Sequence, residues 1–261
     1  MRSRTVVAGA LAAVLLIGVA GYSAYRVWRH FQVAAPLAAP KTSVVLTAPT
    51  ASPTAEPSAA PTPIPTLPPS VFIKVPFTSQ FTTPAEVDDA AHQEYCEAAA
   101  LLMVADYFKG DTRARIPGVE ADTGMAQIYS VKRQTYPASQ DLPLSVIGSI
   151  GAQMFGLKPT VVPVGLEQIQ RSLAAGRPVI IPVLTHVNGV KIAPNYGNKP
   201  VYHVILITGY DAAKNLLYTN DAGFQQGQNW AYQWSTLSHA VDAQALQYPQ
   251  GRVMLVFERA S

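Results

Sequence analysis

The order of hydrophobic and polar positions divides the chain into an apolar start, a proline-rich stretch and a long patterned remainder. Val6 to Tyr25 contain no charged residue, and basic residues flank this run on both sides. As a helix, such a run is long enough to span the hydrocarbon core of a bilayer. We therefore predict a transmembrane signal-anchor over residues 1–31, or a signal peptide if the segment is cleaved. The short basic N-terminus favours placing the rest of the chain outside.

Residues 32–70 have a different composition. They hold many of the 22 prolines, mixed with alanine, threonine and serine. Such a segment buries too little apolar surface to fold and samples extended polyproline II conformations. The sequence thus predicts a disordered linker over 32–70 that holds a folded domain, residues 71–261, away from the membrane.

Apolar periodicity after residue 70 predicts five helices and six strands. The predicted helices are Glu97–Phe108, Met125–Gln134, Leu144–Phe155, Leu166–Ala174 and Ser235–Val241. The predicted strands are Val71–Val75, Pro159–Val164, Val179–Val183, Tyr202–Gly209, Leu216–Asn220 and Arg252–Glu258. Helices come mostly first, and short turns join the later strands. This order favours an α+β fold with an antiparallel sheet over a doubly wound parallel sheet.

Composition and charge narrow the function classes. The net charge is only +3, and no cluster of lysine and arginine follows residue 30, so the sequence does not favour nucleic-acid binding. Cys96 is the one cysteine in the chain, which excludes an intramolecular disulfide. A lone thiol in an exported protein is either a small buried hydrophobe or a functional group.

The position of Cys96 favours a functional thiol. It lies at the start of the helix predicted over Glu97–Phe108. There the free backbone N–H groups and the helix dipole stabilise a thiolate, so we expect a lowered thiol pKa. The thiolate is the nucleophilic form, which suits attack on a carbonyl carbon.

His203 opens one predicted strand, and Asp221 directly follows the next. If Gly209 pairs with Asn215 in an antiparallel hairpin, His203 lies opposite Asp221 on the same face, within reach of a hydrogen bond. Side chains alternate along a strand, so this register turns Asn220 to the other face. A slip of one residue would reverse the choice between Asp221 and Asn220.

These residues fit the parts of a thiol-dependent acyl transfer. Cys96 would attack the carbonyl carbon, His203 would accept the thiol proton, and Asp221 would hold the imidazole tautomer. The oxyanion needs donors, for which the backbone N–H of Cys96 and a side-chain amide are candidates. Gln80 and Gln93 both precede the cysteine, and we favour Gln80 because a loop can bring it beside the sulfur.

Other chemistry finds less support. His92 and Cys96 have the spacing of two metal ligands on a helix, but no second ligand pair accompanies them, so we predict neither a metal nor another cofactor. The loop Val187–Val201 is a candidate wall or lid of a substrate cleft, or a plain surface connection. The aromatic stretch Gly223–Trp234 is a candidate binding rim, or a peripheral packing cluster.

Four motifs in order carry a family resemblance. They are Val75-Pro-Phe-Thr-Ser-Gln80, Tyr95-Cys-Glu-Ala-Ala-Ala-Leu-Leu-Met103, Tyr202-His-Val-Ile-Leu-Ile-Thr-Gly-Tyr210 and Asn220-Asp-Ala-Gly223. Over residues 72–258 the chain resembles the bacterial C39-like peptidases of the papain-like superfamily. The resemblance implies a papain-like fold, in which the cysteine helix packs on an antiparallel sheet.

The same resemblance implies roles for four residues: Cys96 as nucleophile, His203 as base, Asp221 as the third triad member and Gln80 as oxyanion donor. Two positions depart from the family pattern. Cys96 is followed by Glu97-Ala98 where the family often has Gly-Pro, and Asp221 is followed by alanine where the family often has proline. The charge of Glu97 would raise the pKa of the adjacent thiol.

The sequence therefore predicts a thiol peptidase or amidohydrolase that cleaves a peptide or protein amide bond outside the membrane. The alternatives are a catalytically inactive peptide- or protein-binding module and an acyl transferase that uses the same triad. The expected location is the cell membrane, with a single span and an extracytoplasmic catalytic domain, or the exterior if the N-terminal segment is cleaved. Substrate and oligomeric state stay open.

Overall fold

The structure is a computed structural model that describes residues 44–46, 66–137, 141–187, 192 and 199–260. Within these ranges the helices are α1 (Cys96–Lys109), α2 (Gly118–Thr135), α3 (Leu144–Phe155), α4 (Leu166–Ala174) and α5 (Trp234–Gln247). The strands are β1 (Val44–Leu46), β2 (Ser70–Ile73), β3 (Leu157–Pro163), β4 (Val179–Leu184), β5 (Tyr202–Asp211), β6 (Leu216–Asn220), β7 (Trp230–Gln233) and β8 (Val253–Arg259).

The described strands form one sheet in the order β1-β2-β5-β4-β8-β3, with β6 pairing to β5 and β7 to β6. All named strand pairs are antiparallel except β1 with β2. The α+β class and the antiparallel sheet are therefore confirmed.

Helix α1 forms the centre of the domain. Every residue from Cys96 to Phe108 is buried, so the helix is enclosed on all sides rather than amphipathic. It packs against β5, α2 and α3. The helix ends at Gly110, whose φ of 88° is the left-handed conformation that glycine adopts without strain. This packing fixes the start of α1, and with it Cys96, against the sheet.

Two element predictions differ from the structure. Helix α2 begins at Gly118 rather than Met125. The glycines at 118 and 124 weaken the helical sequence pattern, but packing against α1 stabilises the helix there. A Cβ on Gly124 would lie 3.0 Å from the side chain of Leu102, so the glycine allows α2 to approach α1 closely. Strand β7 lies inside the aromatic stretch Gly223–Trp234, where no strand was predicted, and it pairs with β6.

The N-terminal predictions are only partly within the described residues. Val44–Leu46 pairs in parallel with β2, so disorder is the wrong prediction for these three residues. Residues 32–43 and 47–65 of the predicted linker, and the anchor predicted over 1–31, lie outside the described residues. In the part of the chain that is described, no helix combines the length and apolar character that a membrane span requires.

Candidate active site

The sulfur of Cys96, at the start of α1, bonds to the backbone of strand β5. The N–H of Thr185 donates to the carbonyl of Val201, just before β5, and the alternation of an antiparallel ladder then turns the N–H of Val204 away from β4. The pairing of β6 with β5 ends at Leu206, so this N–H meets no partner in the described strands. It hydrogen-bonds to the sulfur of Cys96 instead. The thiol is therefore held at the backbone of the residue that follows His203.

His203 and Asp221 form a buried pair. The Nε2 atom of His203 lies 2.9 Å from Oδ1 of Asp221, and both side chains are buried. The same Oδ1 accepts the N–H of Gly223 at 3.0 Å, and Oδ2 accepts the hydroxyl of Tyr232 at 2.8 Å. An ionised carboxylate only accepts hydrogen bonds, so Nε2 carries the proton and Nδ1 is left as the basic nitrogen.

The predicted hairpin register is wrong. Gly209 pairs with Tyr218 rather than Asn215. A β-bulge just before Gly209 then changes the offset, so that Leu206 pairs with Asn220. Beyond the bulge, β5 and β6 are displaced by two residues from the predicted register. Because side chains alternate between the two faces of a strand, a displacement of two residues leaves each side chain on its predicted face.

The bulge determines which side chain meets the histidine. If the pairing seen near the turn, Gly209 with Tyr218, continued along the strands, the side chain of Asn220 would lie on the same face as His203. The extra residue in β5 shifts the pairing by one, so that Asp221 lies on that face instead. Asn220 instead donates to the carbonyl of Val75 at 3.2 Å. The bulge therefore brings His203 and Asp221 together, although the two residues are not paired directly across the strands.

Gln80 connects the two halves of the site. Its backbone N–H donates to the carbonyl of Ala222 at 2.8 Å, and its Nε2 donates to the carbonyl of His92 at 2.8 Å. A second contact from Nε2, to the carbonyl of Gln93, is long at 3.4 Å. The side chain of Gln93 donates to Val87. The amide of Gln80 therefore has one N–H that is weakly engaged, whereas the amide of Gln93 is directed into the loop.

The resting thiol of Cys96 does not have the lowered pKa that its helix position predicts. Burial raises the thiol pKa well above its ordinary value, and the charge of Glu97 raises it further. Lys132 and the N–H of Val204 offset only part of this effect. The resting form is therefore the protonated thiol, so a base must remove the proton during attack.

A buried ion pair lies next to the nucleophile. Oε2 of Glu97 is 2.9 Å from Nζ of Lys132, and both side chains are buried. Oε1 of Glu97 accepts the N–H of Leu142 at 2.9 Å. The carbonyl of Leu142 accepts the hydroxyl of Tyr202 at 2.8 Å. These contacts connect the residue after Cys96 to the residue before His203.

Sequence reasoning missed two residues of this neighbourhood. Lys132 falls on the buried face of α2 with Met125 and Ile128, and a lysine on an apolar stripe is a signal of a buried charged partner. Tyr232 is in the aromatic stretch predicted as a rim, and its hydroxyl holds Asp221. No sequence pattern indicates that contact.

The ring of His92 bonds to carboxylates on both sides. Its Nδ1 is 2.8 Å from Asp89 and its Nε2 is 2.9 Å from Asp122. Burial alone would lower the pKa of His92, but these hydrogen bonds outweigh it and the pKa is raised. Glu86, His92 and Asp122 each offer a ligand atom within 4.8 Å of the others, so they are the described residues best placed to hold a metal.

The two predicted substrate segments differ in outcome. Most of Val187–Val201 lies outside the described residues. In the segment Gly223–Trp234, Phe224 is buried and packs edge-on against Trp230, with 5.1 Å between the ring centroids. This segment is therefore a packing cluster that supports Asp221.

The fold and site together define an α+β protein in which a buried helix begins at a cysteine bonded to the N–H of Val204, and a histidine–aspartate pair lies on the same antiparallel sheet. The chain belongs to the Peptidase_C39 like family, whose sequence profile matches residues 72–243. The resemblance to C39-like peptidases is thereby confirmed. A search of the curated proteins finds no match.

Two solved structures are similar to part of this chain. One is described as a C39-like peptidase from Bacillus anthracis, with 15% identity, a TM-score of 0.46, and coverage of 72% of this chain and 96% of that chain. The other is xylellain, a cysteine protease from Xylella fastidiosa, with 13% identity, a TM-score of 0.35, and coverage of 75% of this chain and 88% of that chain.

Proposed function

We propose that this chain is a cysteine peptidase that cleaves a peptide or protein amide bond. Membership of the Peptidase_C39 like family supports the class of reaction. The single observation that carries the proposal is the bond of 2.9 Å between His203 Nε2 and Asp221, with Cys96 held at the next backbone N–H. In this proposal, Nδ1 of His203, the nitrogen that does not face Asp221, acts as the base for the thiol.

The reaction proceeds in two stages. Sγ of Cys96 attacks the scissile carbonyl carbon while its proton moves to Nδ1 of His203, and the carbonyl electrons form an oxyanion. The C–N bond then breaks, and the same proton passes to the leaving amine. Water hydrolyses the thioester with His203 again as base. Asp221 stabilises the imidazolium that forms in each stage.

Gln80 and the backbone N–H of Cys96 would bind the oxyanion. The weakly engaged N–H of the Gln80 amide supports this role, because an oxyanion can replace the long contact of 3.4 Å. The bond from Gln80 to His92 keeps the amide plane fixed during that exchange. The amide therefore needs no reorganisation when charge develops.

The burial of Cys96 favours the second candidate, a non-catalytic binding module. The side chain is only 6% exposed, and its thiol pKa is raised. A transferase is a third candidate, since an added amine can replace water at the thioester. The experiment must therefore distinguish peptide cleavage, acyl transfer to an added amine and the absence of any reaction.

The test is mass spectrometry of a peptide library incubated with the chain, with and without glycinamide. Wild type and Ser149→Ala, which changes an exposed hydroxyl on α3, are expected to produce new termini, while Cys96→Ser produces none. Products that carry glycinamide would identify transfer. Equal cleavage by Cys96→Ser, or none by wild type, would overturn the peptidase proposal.

We also propose that residues 1–31 anchor the chain in a membrane, with the domain on the extracytoplasmic side. The uncharged run from Val6 to Tyr25 supports this location. Cell fractionation with external protease tests it. The full chain is expected in the membrane fraction, with its domain open to digestion; recovery from the cytosol would contradict the proposal, and release of a shortened chain would indicate cleavage.

A further inference from the structure

We propose that Glu97, Lys132 and Tyr202 are positioning residues that set the reactivity and register of Cys96 through the peptide unit of Leu142. The inference rests on the proposed function and adds the groups that tune its nucleophile. The inference rests on contacts among buried groups that have no role in the proposed bond-breaking steps.

The first observation is that Leu142 is shared between the two sides of the site. Its N–H donates to Glu97, the residue after the nucleophile, and its carbonyl accepts from Tyr202, the residue before the base. The Leu142 side chain is 1% exposed, so water does not compete for these bonds. A shift of α1 against β5 would break one bond or the other, which fixes the sulfur relative to the imidazole.

The second observation is a buried charge pair that includes the residue after the nucleophile. Glu97 is adjacent to Cys96 in the chain, and Lys132 holds its carboxylate at 2.9 Å. The two charges act on the sulfur with opposite sign, since Glu97 raises the pKa of Cys96 and Lys132 lowers it. Burial makes the largest contribution to the raised thiol pKa, and the balance of the two charges shifts the population of thiolate from that level.

The other ionisable groups near the sulfur determine how a variant behaves. Glu94 lies 3.7 Å from Lys132, and Asp141 also raises the pKa of the thiol. His203 directly precedes Val204, whose N–H bonds to the thiol. Because Glu94 is retained when Glu97 is neutralised, Lys132 keeps an acidic neighbour and its charge in that variant. Tyr202 carries no charge in the neutral range, since burial raises the pKa of its hydroxyl.

The test is the pH dependence of Cys96 alkylation by iodoacetamide, which requires no substrate. Glu97→Gln is expected to lower the apparent thiol pKa by about 1–2 units, because it removes a negative charge that raises the thiol pKa while Lys132 keeps its positive charge. Lys132→Met is expected to raise it, because Glu97 is ionised at the pH where the thiol titrates. The double variant is expected to lie between the two single variants.

If Glu97 and Lys132 had only a structural role, the two single variants would not shift the thiol pKa in opposite directions. If both single variants move the alkylation profile in the same direction, or leave it unchanged, the proposal is overturned. The double variant contains no unpaired buried charge, so it keeps the test valid should Lys132→Met fail to fold. If the chain cleaved no peptide, the proposed function would be wrong, but the pH dependence of Cys96 alkylation would still test this inference.

Tyr202→Phe tests the register. It removes the hydroxyl that bonds to the carbonyl of Leu142 and to the side chain of Gln250, so we expect kcat to fall about tenfold with little change in KM or in the alkylation pKa. Tyr107→Phe is the matched control, because it removes a buried hydroxyl that donates to the carbonyl of Gly176 at 2.9 Å. Equal kcat in the two variants would refute the role of Tyr202.

Discussion

Replacement of Asp221 by asparagine should be far milder than replacement by alanine. Oδ1 of Asp221 accepts from His203 Nε2 and Gly223 N, and Oδ2 accepts from the hydroxyl of Tyr232. In Asp221→Asn the amide oxygen can take the place of Oδ1. Its NH₂ group then donates to the Tyr232 oxygen, because a hydroxyl can rotate from donor to acceptor. The imidazole keeps its tautomer and orientation.

What Asp221→Asn loses is charge. A hydrogen bond to a charged group contributes about 1.5–3 kcal/mol and a neutral one about 0.5–1.5 kcal/mol. The imidazolium therefore loses about 1–2 kcal/mol of stabilisation, and turnover should fall by about 5- to 30-fold. Asp221→Ala leaves three buried donors without an acceptor, so we expect a loss of about 3–5 kcal/mol in stability and a fall in turnover of about a thousand-fold or more.

The assay is hydrolysis of fluorescein-labelled casein, with urea unfolding to follow stability. The combination Asp221→Asn with Tyr232→Phe serves as the internal check, because it removes the acceptor for the new amide. It should lose at least about tenfold more turnover than the two single changes together. If Asp221→Asn, still folded, is as slow as Asp221→Ala, the orientation argument is wrong. If both variants match wild type, Asp221 has no role.

Three further variants test other parts of the account. Gln80→Ala should lower kcat by about 100-fold through loss of an oxyanion donor, while Gln93→Ala leaves kcat within about threefold; equal losses would remove the distinction. The raised pKa of His92 favours the protonated folded state, so its stabilisation is present below the ordinary value of 6.5 and is lost as pH rises through the raised pKa. His92→Gln should therefore cost about 1 kcal/mol in urea unfolding at pH 6 and less at pH 9, and a constant cost would contradict this. A Cβ on Gly227 would lie 1.8 Å from the carbonyl oxygen of Asp221, so Gly227→Ala should cost about 1–3 kcal/mol and slow turnover. Gly110→Ala, with φ at 88° but open space, should cost about 1 kcal/mol with turnover unchanged.

The sequence was sufficient to predict the α+β class, the helix that has Cys96 at its start and the strand that begins at Tyr202, because each depends on local periodicity and on single residue types. It was not sufficient for the hairpin. The bulge before Gly209 is a response to the packing of β5 against several strands at once, and no local pattern marks it. The prediction still paired His203 with Asp221, because an offset of two residues preserves the face.

Long-range contacts account for the rest of the site. Tyr232 meets Asp221 only because β7 pairs with β6, and the sequence there is typical of a loop. Burial of Cys96 opposes the helix dipole, and the cost of desolvation depends on the whole packed domain rather than on the helix start. The balance between these effects cannot be obtained from residue spacing.

The most direct test of the central claim is the alkylation rate of Cys96 as a function of pH in wild type, His203→Gln and His239→Gln. His239 is an exposed histidine on α5 and serves as the control. If His203 is the base for the thiol, wild type and His239→Gln should react at least about tenfold faster than His203→Gln at pH 7, with an inflection that only the first two share. Three superimposed profiles would show that the sulfur and the imidazole do not act together.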